Sequence, residues 1–291
     1  MKFGIALPNY GANAGKRQIL EIAKAAEELG YFSVWVADRL TVPEPPNQSW
    51  SKVNQAVYEP IVTLSFLSSV TERVKLGTSV LVLPFRNPLV MARQVTTLDI
   101  LSGGRLILGV GVGWMEEEFQ AAGVRMKERG ARLDESIRLL RDLWEKPMPS
   151  FRGRFTEFTQ IHFEPKPSQH RIPIWVGGNG VIALRRAAKL GDGWLPVGCM
   201  SFQEIGEKIE FLRKKANEYG RSKSEIEISS PYLHPYGQDG KSMKLIKKDI
   251  ESYAKLGVSH FMPSFVHNTA EELIDQMKLF ASEVIPCFNN H

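Results

Sequence analysis

Hydrophobic and polar positions along the chain alternate between two periods. Short runs rich in β-branched and aromatic residues, such as 32–38 (FSVWVAD), are typical of buried strands. Between these runs, apolar residues recur every three or four positions, as at Ile19, Ile22 and Ala26, which predicts amphipathic helices. The predicted strands are 2–8, 32–38, 73–84, 105–113, 172–178, 193–197, 225–230 and 258–264. The predicted helices cover 19–29, 60–70, 88–101, 132–144, 181–190, 205–216, 242–256 and 273–284, with capping boxes starting at Ser201 and Thr269.

Eight strand–helix pairs over 291 residues predict the fold class. Strands that alternate with helices form a parallel sheet, and eight units close a barrel, so we expect an α/β protein with a single (β/α)8 TIM-barrel domain over residues 1–291. The rival, an open doubly wound sheet, would carry a glycine fingerprint in its first βα turn. Residues 8–15 (PNYGANAG) lack that fingerprint.

Two stretches exceed a minimal barrel and are candidate lids or surface decoration. One is 40–58, rich in proline, asparagine and serine. The other is 147–171, in which FRGRFTEF (151–158) could pair with QIHFEP (160–165) as a hairpin. Long insertions near a barrel mouth are often functional.

Composition excludes several classes of protein. The chain is 43% hydrophobic and 24% charged, with a net charge of +5 and no lysine or arginine run that would suit nucleic acid. Its two cysteines, Cys199 and Cys287, lie far apart, so a disulfide framework or a zinc site is not expected. No apolar run approaches membrane-spanning length. We therefore expect a cytoplasmic protein whose partner is a small molecule.

The ends of the predicted strands hold the candidate site, because the carboxyl ends of barrel strands meet at one face. The residues placed there are Asn9, Tyr10, Asp38, Arg39, Ser79, Val80, Gly111, Gly113, Trp114, Gly177, Gly178, Asn179, Gly180 and Pro196. The loop Gly177–Gly180 lies between a strand and a helix, where free backbone N–H groups and the helix dipole favour an anion such as a phosphate. Arg185 and Arg186 could add charge, although a tight turn chosen for packing would need the same glycines.

Other catalytic chemistries lack their residues. The six histidines are scattered and form no metal-ligand pair, so no metal is expected. The chain has no Gly-x-Ser-x-Gly elbow, and only Asp38 is a carboxylate clearly at a strand end. Glu116, Glu117 and Glu118 fall in a helical first turn, where at least two are expected to serve only the helix dipole. A site rich in glycine and aromatic residues suggests that a cofactor carries the chemistry.

The chain resembles the luciferase-like superfamily of flavin- and deazaflavin-dependent oxidoreductases. The resemblance rests on residues 33–40 (SVWVADRL), 71–114 and 173–194 (PIWVGGNGVIALRRAAKLGDGW). It implies a barrel with an insertion, commonly a homodimer, that binds coenzyme F-420 or FMN for hydride transfer or monooxygenation. It also implies that the cofactor phosphate lies at Gly177, Gly178, Asn179 and Gly180. The ring would rest on a bulge at Ser79 and Val80, often with a non-proline cis peptide, and Asp38 would lie beside it.

One departure from the family concerns the substrate. Deazaflavin-dependent dehydrogenases of the family tend to carry histidine after the strand-two acid and glutamate after the strand-four glycines. This chain has Arg39 and, approximately, Trp114 at those places, which argues against simple alcohol oxidation. We expect the substrate pocket to include Asn9, Tyr10, Arg39, Tyr58 and Trp114.

These observations lead to one expected function and two alternatives. We expect an oxidoreductase using coenzyme F-420 or FMN on an organic substrate. Within the class, the alternative is an FMN monooxygenase supplied by a separate flavin reductase. From another class, the chain could be a non-catalytic flavin-binding relative with its mouth filled by Trp114 and Tyr10.

Overall fold

The computed structural model describes residues 1–11, 13–41, 56–231, 236 and 243–288. The strands are β1 (Lys2–Ala6), β2 (Ser33–Val36), β3 (Lys75–Thr78), β4 (Leu81–Val82), β5 (Leu106–Gly111), β6 (Phe151–Arg152), β7 (Glu157–Phe158), β8 (Ile174–Gly177), β9 (Gly193–Leu195), β10 (Glu227–Ile228) and β11 (His260–Phe261). The helices are α1 (Lys16–Glu28), α2 (Pro60–Ser68), α3 (Pro88–Leu101), α4 (Glu116–Ala121), α5 (Arg129–Glu145), α6 (Val181–Leu190), α7 (Phe202–Glu218), α8 (Met243–Leu256), α9 (Ala270–Glu283) and α10 (Ile285–Phe288).

In the described part of the chain, eight parallel strands form a barrel. They lie in the order β10, β9, β8, β5, β3, β2, β1 and β11, and every neighbouring pair is parallel. Ser229 forms a parallel bridge with His260, which places the end of β10 next to β11 and closes the ring. The predicted α/β class and (β/α)8 architecture are confirmed, because each crossover carries a helix that covers the outside of the sheet.

The helix boundaries follow from local capping chemistry. The Asn87 side chain accepts hydrogen bonds from the Leu89 and Val90 backbone N–H groups, and Pro88 occupies the first helical position of α3. The capping box predicted at Ser201 is present at the start of α7. At α9 only half of the predicted box forms. Thr269 accepts from the Glu272 N–H, whereas the Glu272 carboxylate accepts from the N–H of Asn268, one residue earlier than a capping box requires.

The predicted strand 73–84 is interrupted in the structure. It divides into β3 and β4 at a cis peptide between Ser79 and Val80, where the family resemblance implied a bulge with such a peptide. Both halves pair with β5, with Leu76 opposite Leu106 and Leu81 opposite Val110. The apolar pattern predicts one continuous strand, because hydrophobic periodicity does not detect a break that depends on pairing with the neighbouring strand.

The insertion at 147–171 forms a hairpin in a different place from the one predicted. β6 pairs with β7 inside FRGRFTEF itself, with Phe151 opposite Phe158, so the expected pairing with 160–165 is wrong. The buried Glu135 carboxylate of α5 accepts hydrogen bonds from the backbone N–H groups of Arg154 and Phe155. The hairpin therefore packs along α5, and a cavity of about 210 Å³ separates it from the turn at 83–88. Most of the other candidate lid, residues 42–55, lies outside the described residues.

The inside of the barrel is closed by a group that we call the floor: Trp35, Trp175 and His260. The neighbours Val34 and Val36 pack outward against the helices, while Trp35 joins the interior cluster, as a two-residue period requires. The Trp35 and Trp175 rings lie 5.4 Å apart, and each meets the His260 ring edge to face. Gly77 makes this packing possible, because a Cβ there would lie 2.3 Å from the Trp35 ring.

Three further properties of the described residues can be stated. No helix among them is both long and apolar enough to cross a membrane. Nor do three or more of their histidine, cysteine, aspartate and glutamate side chains gather where they could hold a metal ion. Cys199 and Cys287 are exposed free thiols.

Candidate active site

Val80 forms an apolar platform at the carboxyl end of the barrel. The Ser79 N–H donates to the Val36 carbonyl at 2.8 Å, which holds the interrupted strand against β2. The Val80 side chain packs against the interior cluster and fills the space beside Gly111 and Gly177. A Cβ at either glycine would lie 2.4 or 2.7 Å from a Val80 methyl group, so any larger residue would displace the platform. Gly177 was predicted to belong to the phosphate loop. In the structure, its lack of a side chain makes room for Val80 of the protein itself.

Asp38 is bound to the segment that follows this platform. Its side chain is fully buried and accepts from the Val82 N–H at 2.8 Å and from both terminal nitrogens of Arg86, at 2.5 and 2.8 Å. Arg86 also contacts a Glu59 carboxylate oxygen at 3.3 Å. Burial opposes the charge on Arg86, but Asp38 and then Glu59 outweigh it and raise the pKa of Arg86. Asp38 thus anchors β4, and it does so next to where the ring was predicted.

Asn9 connects the first two strand-end loops. It is completely buried, and its amide donates to the Ala37 and Tyr58 carbonyls at 2.7 and 3.0 Å while its carbonyl oxygen accepts from the Ala37 N–H at 2.9 Å. Tyr10 then pairs with Val57 in an antiparallel bridge. Asn9 therefore positions Tyr10 and Tyr58, which are 39% and 40% exposed.

Arg39 and Trp114, from different loops, contact each other directly, and Glu118 holds Arg39 in place. The Glu118 carboxylate is 2% exposed and accepts from an Arg39 terminal nitrogen at 3.0 Å and from the Leu40 N–H at 2.8 Å. The Arg39 guanidinium lies 4.8 Å from the centre of the Trp114 ring, in a cation–π arrangement. The sequence analysis expected at least two of the three glutamates at 116–118 to serve only the helix dipole. Glu118 is the one that has a further role, because it binds Arg39.

The amino end of α6 has donors available for an anion. Among the described residues no side chain caps this helix, and none lies within 4 Å of a Cβ placed on Gly180. The first N–H groups of a helix have no partner within the helix, so an uncapped, open end suits a phosphate. The side chain of Asn179 exchanges hydrogen bonds with the backbone of Val197, which fixes the loop beside β9.

The two arginines considered as extra charge for this loop behave differently. Arg186 is 6% exposed, and its Nε donates to Asp134 of α5 at 2.5 Å. That side chain is therefore committed to the helix layer and not to the loop. Arg185 is exposed on the same helix.

Two important residues were not predicted from the sequence. Arg86 lies 48 positions from Asp38, in the short segment between Pro84 and Pro88, which gives no periodic signal. Glu59 is the N-cap of α2 and its carboxylate accepts from the Val62 N–H at 2.7 Å. Its capping position before Pro60 was recognisable, but its contact with Arg86 was not.

Comparison with known proteins shows the family of this chain. Residues 1–240 match the model of the luciferase-like monooxygenase family, and the chain belongs to that family. An F420-dependent glucose-6-phosphate dehydrogenase of Amycolatopsis mediterranei is 35% identical over 193 residues, which is 64% of this chain and 56% of the relative. The alignment therefore spans little more than half of that relative.

Solved structures show the same fold. An F420-dependent secondary alcohol dehydrogenase in complex with an F420–acetone adduct superposes with a TM-score of 0.82 at 19% identity, covering 98% of each chain. The oxygenating constituent of 3,6-diketocamphane monooxygenase from Pseudomonas putida, in complex with FMN, superposes with a TM-score of 0.74 at 16% identity, again over 98% of each chain. At these identities the likeness extends to the barrel and not to the substrate.

Proposed function

We propose that this protein is an oxidoreductase that binds coenzyme F-420, with FMN as the alternative cofactor. The single observation that carries the proposal is the open, uncapped amino end of α6 beside the Val80 platform. A phosphate at the helix end would leave the attached ring system within reach of the strand ends. The bound cofactor would supply hydride transfer, while the chain positions the ring and excludes water.

The family relationship supports coenzyme F-420 ahead of FMN. The relative that is 35% identical is named as F420-dependent, whereas the FMN-containing neighbour is only 16% identical. The non-catalytic alternative required Trp114 and Tyr10 to fill the mouth. Their exposures of 54% and 39% favour a mouth that admits a substrate.

The N-cap glycine offers a direct test. Gly180 has φ −74° and ψ 157°, which any residue adopts, so Gly180→Val should fold normally while its methyl groups occupy the phosphate position. We expect the affinity for coenzyme F-420 to fall more than tenfold, about 1.4 kcal/mol, in a fluorescence titration of the apoprotein. Gly178 is a poorer choice, because its φ of +116° strains any side chain.

A matched control is Gly206→Ala in α7, where the added Cβ makes ordinary contact with Leu256 at 3.4 Å. It should bind cofactor as the wild type does. Tighter binding of FMN than of coenzyme F-420 would select the alternative cofactor. Unchanged affinity of a folded Gly180→Val variant for both cofactors would refute the phosphate site.

We also propose that two copies of the chain associate through α2 and α3. These helices pack on each other, and they leave Val62, Val90 and Leu101 exposed by 68%, 56% and 66%. Exposed apolar side chains on two helices that pack on each other favour an interaction surface. Sedimentation should give a dimer at micromolar concentration, and the double variant Val62→Glu with Leu101→Glu should give a monomer. A wild type that sediments as a monomer would contradict this proposal.

A further inference from the structure

The cavity between the hairpin and the turn at 83–88 is bordered by charged and polar side chains; we call it the hairpin cavity. Its volume is about 210 Å³. A single water needs only about 10–15 Å³, so the cavity has room for a small organic molecule. Its described walls come from that turn, from α5 and from the hairpin. Of the residues discussed above for the active site, Arg86 also lines this cavity, whereas Val80 and the α6 loop do not.

Ser136 presents an unused hydroxyl to the hairpin cavity. The residue lies in α5, lines the cavity and is 5% exposed. A serine within a helix commonly donates to the carbonyl four residues earlier, as Ser252 does to Lys248. The Ser136 hydroxyl makes no such bond, nor any other to the described residues. Buried polar groups are normally satisfied, so this hydroxyl points to a molecule held in the cavity.

Two arginines of the cavity wall also have unused N–H groups. Arg132 donates through Nε and one terminal nitrogen to Glu128, at 3.3 and 3.2 Å, and its other terminal nitrogen meets no acceptor in the described part of the chain. Arg86 directs both terminal nitrogens towards Asp38 and its neighbours, which leaves its Nε N–H without a described acceptor. Together with Ser136 these are donors only. Guanidinium donors bind carboxylates and other oxyanions most strongly, so the ligand they favour has acceptor oxygens.

Glu135 limits the charge that such a ligand can carry. Its carboxylate is in the same wall, is 4% exposed and accepts from the backbone N–H groups of Arg154 and Phe155. Repulsion from this carboxylate grows with the charge of the ligand, so a dianion is disfavoured more than a monoanion. The Phe155 ring, 4.3 Å from the Arg132 guanidinium, supplies an apolar part of the wall. An anion with one charge and a short apolar end fits these surroundings.

We infer that the hairpin cavity binds a small monocarboxylate, whose oxygens accept from Arg132, Arg86 and Ser136 and whose hydrocarbon end lies against Phe155. This site is additional to the proposed cofactor site and does not depend on it, because the α6 loop takes no part in the cavity wall.

The test is titration calorimetry of the full chain without cofactor, at pH 8 and constant ionic strength. The probes are acetate, acetamide and inorganic phosphate. Acetamide has the shape of acetate without its charge, and phosphate is mainly a dianion at this pH. The open end of α6 could also take an anion, so each titration is repeated with Gly180→Val. In that variant we expect acetate to bind as it does in the wild type, and at least tenfold more tightly than either other probe.

Two substitutions locate the binding in the hairpin cavity. Ser136→Ala and Arg132→Met should each weaken acetate binding at least tenfold, since each removes a donor to a charged ligand. Arg125→Met is the matched control for Arg132→Met, because Arg125 also pairs with Glu128 but does not line the cavity. Ser252→Ala, in α8, is the control for the serine substitution. Both controls should bind acetate as the wild type does.

Three results would overturn the inference. One is acetate binding no tighter than that of acetamide or phosphate in Gly180→Val. Another is normal acetate binding by folded Ser136→Ala and Arg132→Met variants. The third is no binding of any probe, which would show that the cavity holds water only. None of them bears on the proposed function, which is decided by the affinities for coenzyme F-420 and FMN.

Discussion

The floor of the barrel and its rim, the strand-end loops that carry Tyr10 and Trp114, hold similar aromatic side chains at very different exposures. On the floor, Trp35 and Trp175 are 1% and 3% exposed and meet a fully buried His260. On the rim, Trp114 is 54% exposed and contacts a guanidinium. The floor aromatics are surrounded on all sides, so they contribute to folding, whereas Trp114 and Tyr10 on the rim stay partly exposed to solvent. Residue type alone does not distinguish the two groups; their position does, because Trp35 and Trp175 lie within β2 and β8 whereas Trp114 lies in the loop after β5.

The largest expected difference between the two regions is in stability. Trp35→Ala removes a fully buried indole from a packed site and should lower the free energy of unfolding by about 3–5 kcal/mol. Trp114→Ala removes an exposed indole and should change it by roughly 0.5 kcal/mol. Denaturant unfolding of both variants measures the contrast. Equal losses from the two substitutions would show that the rim is as much a part of the core as the floor.

Substitution of Asp38 tests whether a residue at the mouth of the barrel can contribute to stability as the floor residues do. Asp38→Asn removes a buried charge from Arg86 and should lower the free energy of unfolding by about 3 kcal/mol. It should also weaken cofactor binding, since β4 would lose the anchor at Val82. Asp275→Asn, which breaks an exposed pair with Lys278, should cost less than about 1 kcal/mol. A fully stable Asp38→Asn variant would show that Asp38 does not anchor β4.

The floor also contains a titrating group. Burial, and secondarily the charge of Lys2, lower the pKa of His260 to about 3, so the folded protein keeps it neutral. The unfolded chain protonates it below its ordinary pKa of 6.5 and binds the extra proton. Stability should therefore fall as the pH falls from about 6.5 towards 3, by about 1.4 kcal/mol per pH unit from this group. Its contribution is constant above pH 6.5.

The measurement is denaturant unfolding at pH 7, 6, 5 and 4. His260→Asn should flatten the pH dependence over this range by about 1.4 kcal/mol per unit. Leu140→Ala in α5 provides the control, because it destabilises the buried core away from the imidazole and should retain the slope. If His260→Asn has the wild-type slope, the imidazole does not stay neutral in the folded protein.

Local signals account for what could be predicted of the fold. The helix at 88–101 was predicted with the bounds that α3 has, because Pro88 and the glycines after Leu101 are near-neighbour signals. The same holds for α6, which lies between Gly180 and Gly191. The hairpin was predicted incorrectly, since it depends on which backbone lies opposite. The interruption at Ser79 and Val80 was implied by the family resemblance and not by periodicity.

The positions of the candidate site residues along the strands were predicted from the sequence, but the contacts between them were not. The sequence placed Asn9, Asp38, Arg39 and Trp114 at strand ends, and the structure places them on strand-end loops at the carboxyl face of the barrel. It did not indicate that Asn9 and Asp38 are buried, nor that Glu118 joins Arg39 to the Trp114 loop. Their assignment to cofactor and substrate stays a prediction.

By itself the sequence determined the order of strands and helices, the barrel they close and the family to which the chain belongs. These depend on periodicity, capping and short motifs, which act within a few residues. Only the tertiary structure decided that Gly111 and Gly177 make room for Val80, that Arg86 neutralises Asp38, and that Glu118 neutralises Arg39. The paired groups are 48 and 79 positions apart. Contacts over such separations leave no periodic trace, because closing the barrel is what brings them together.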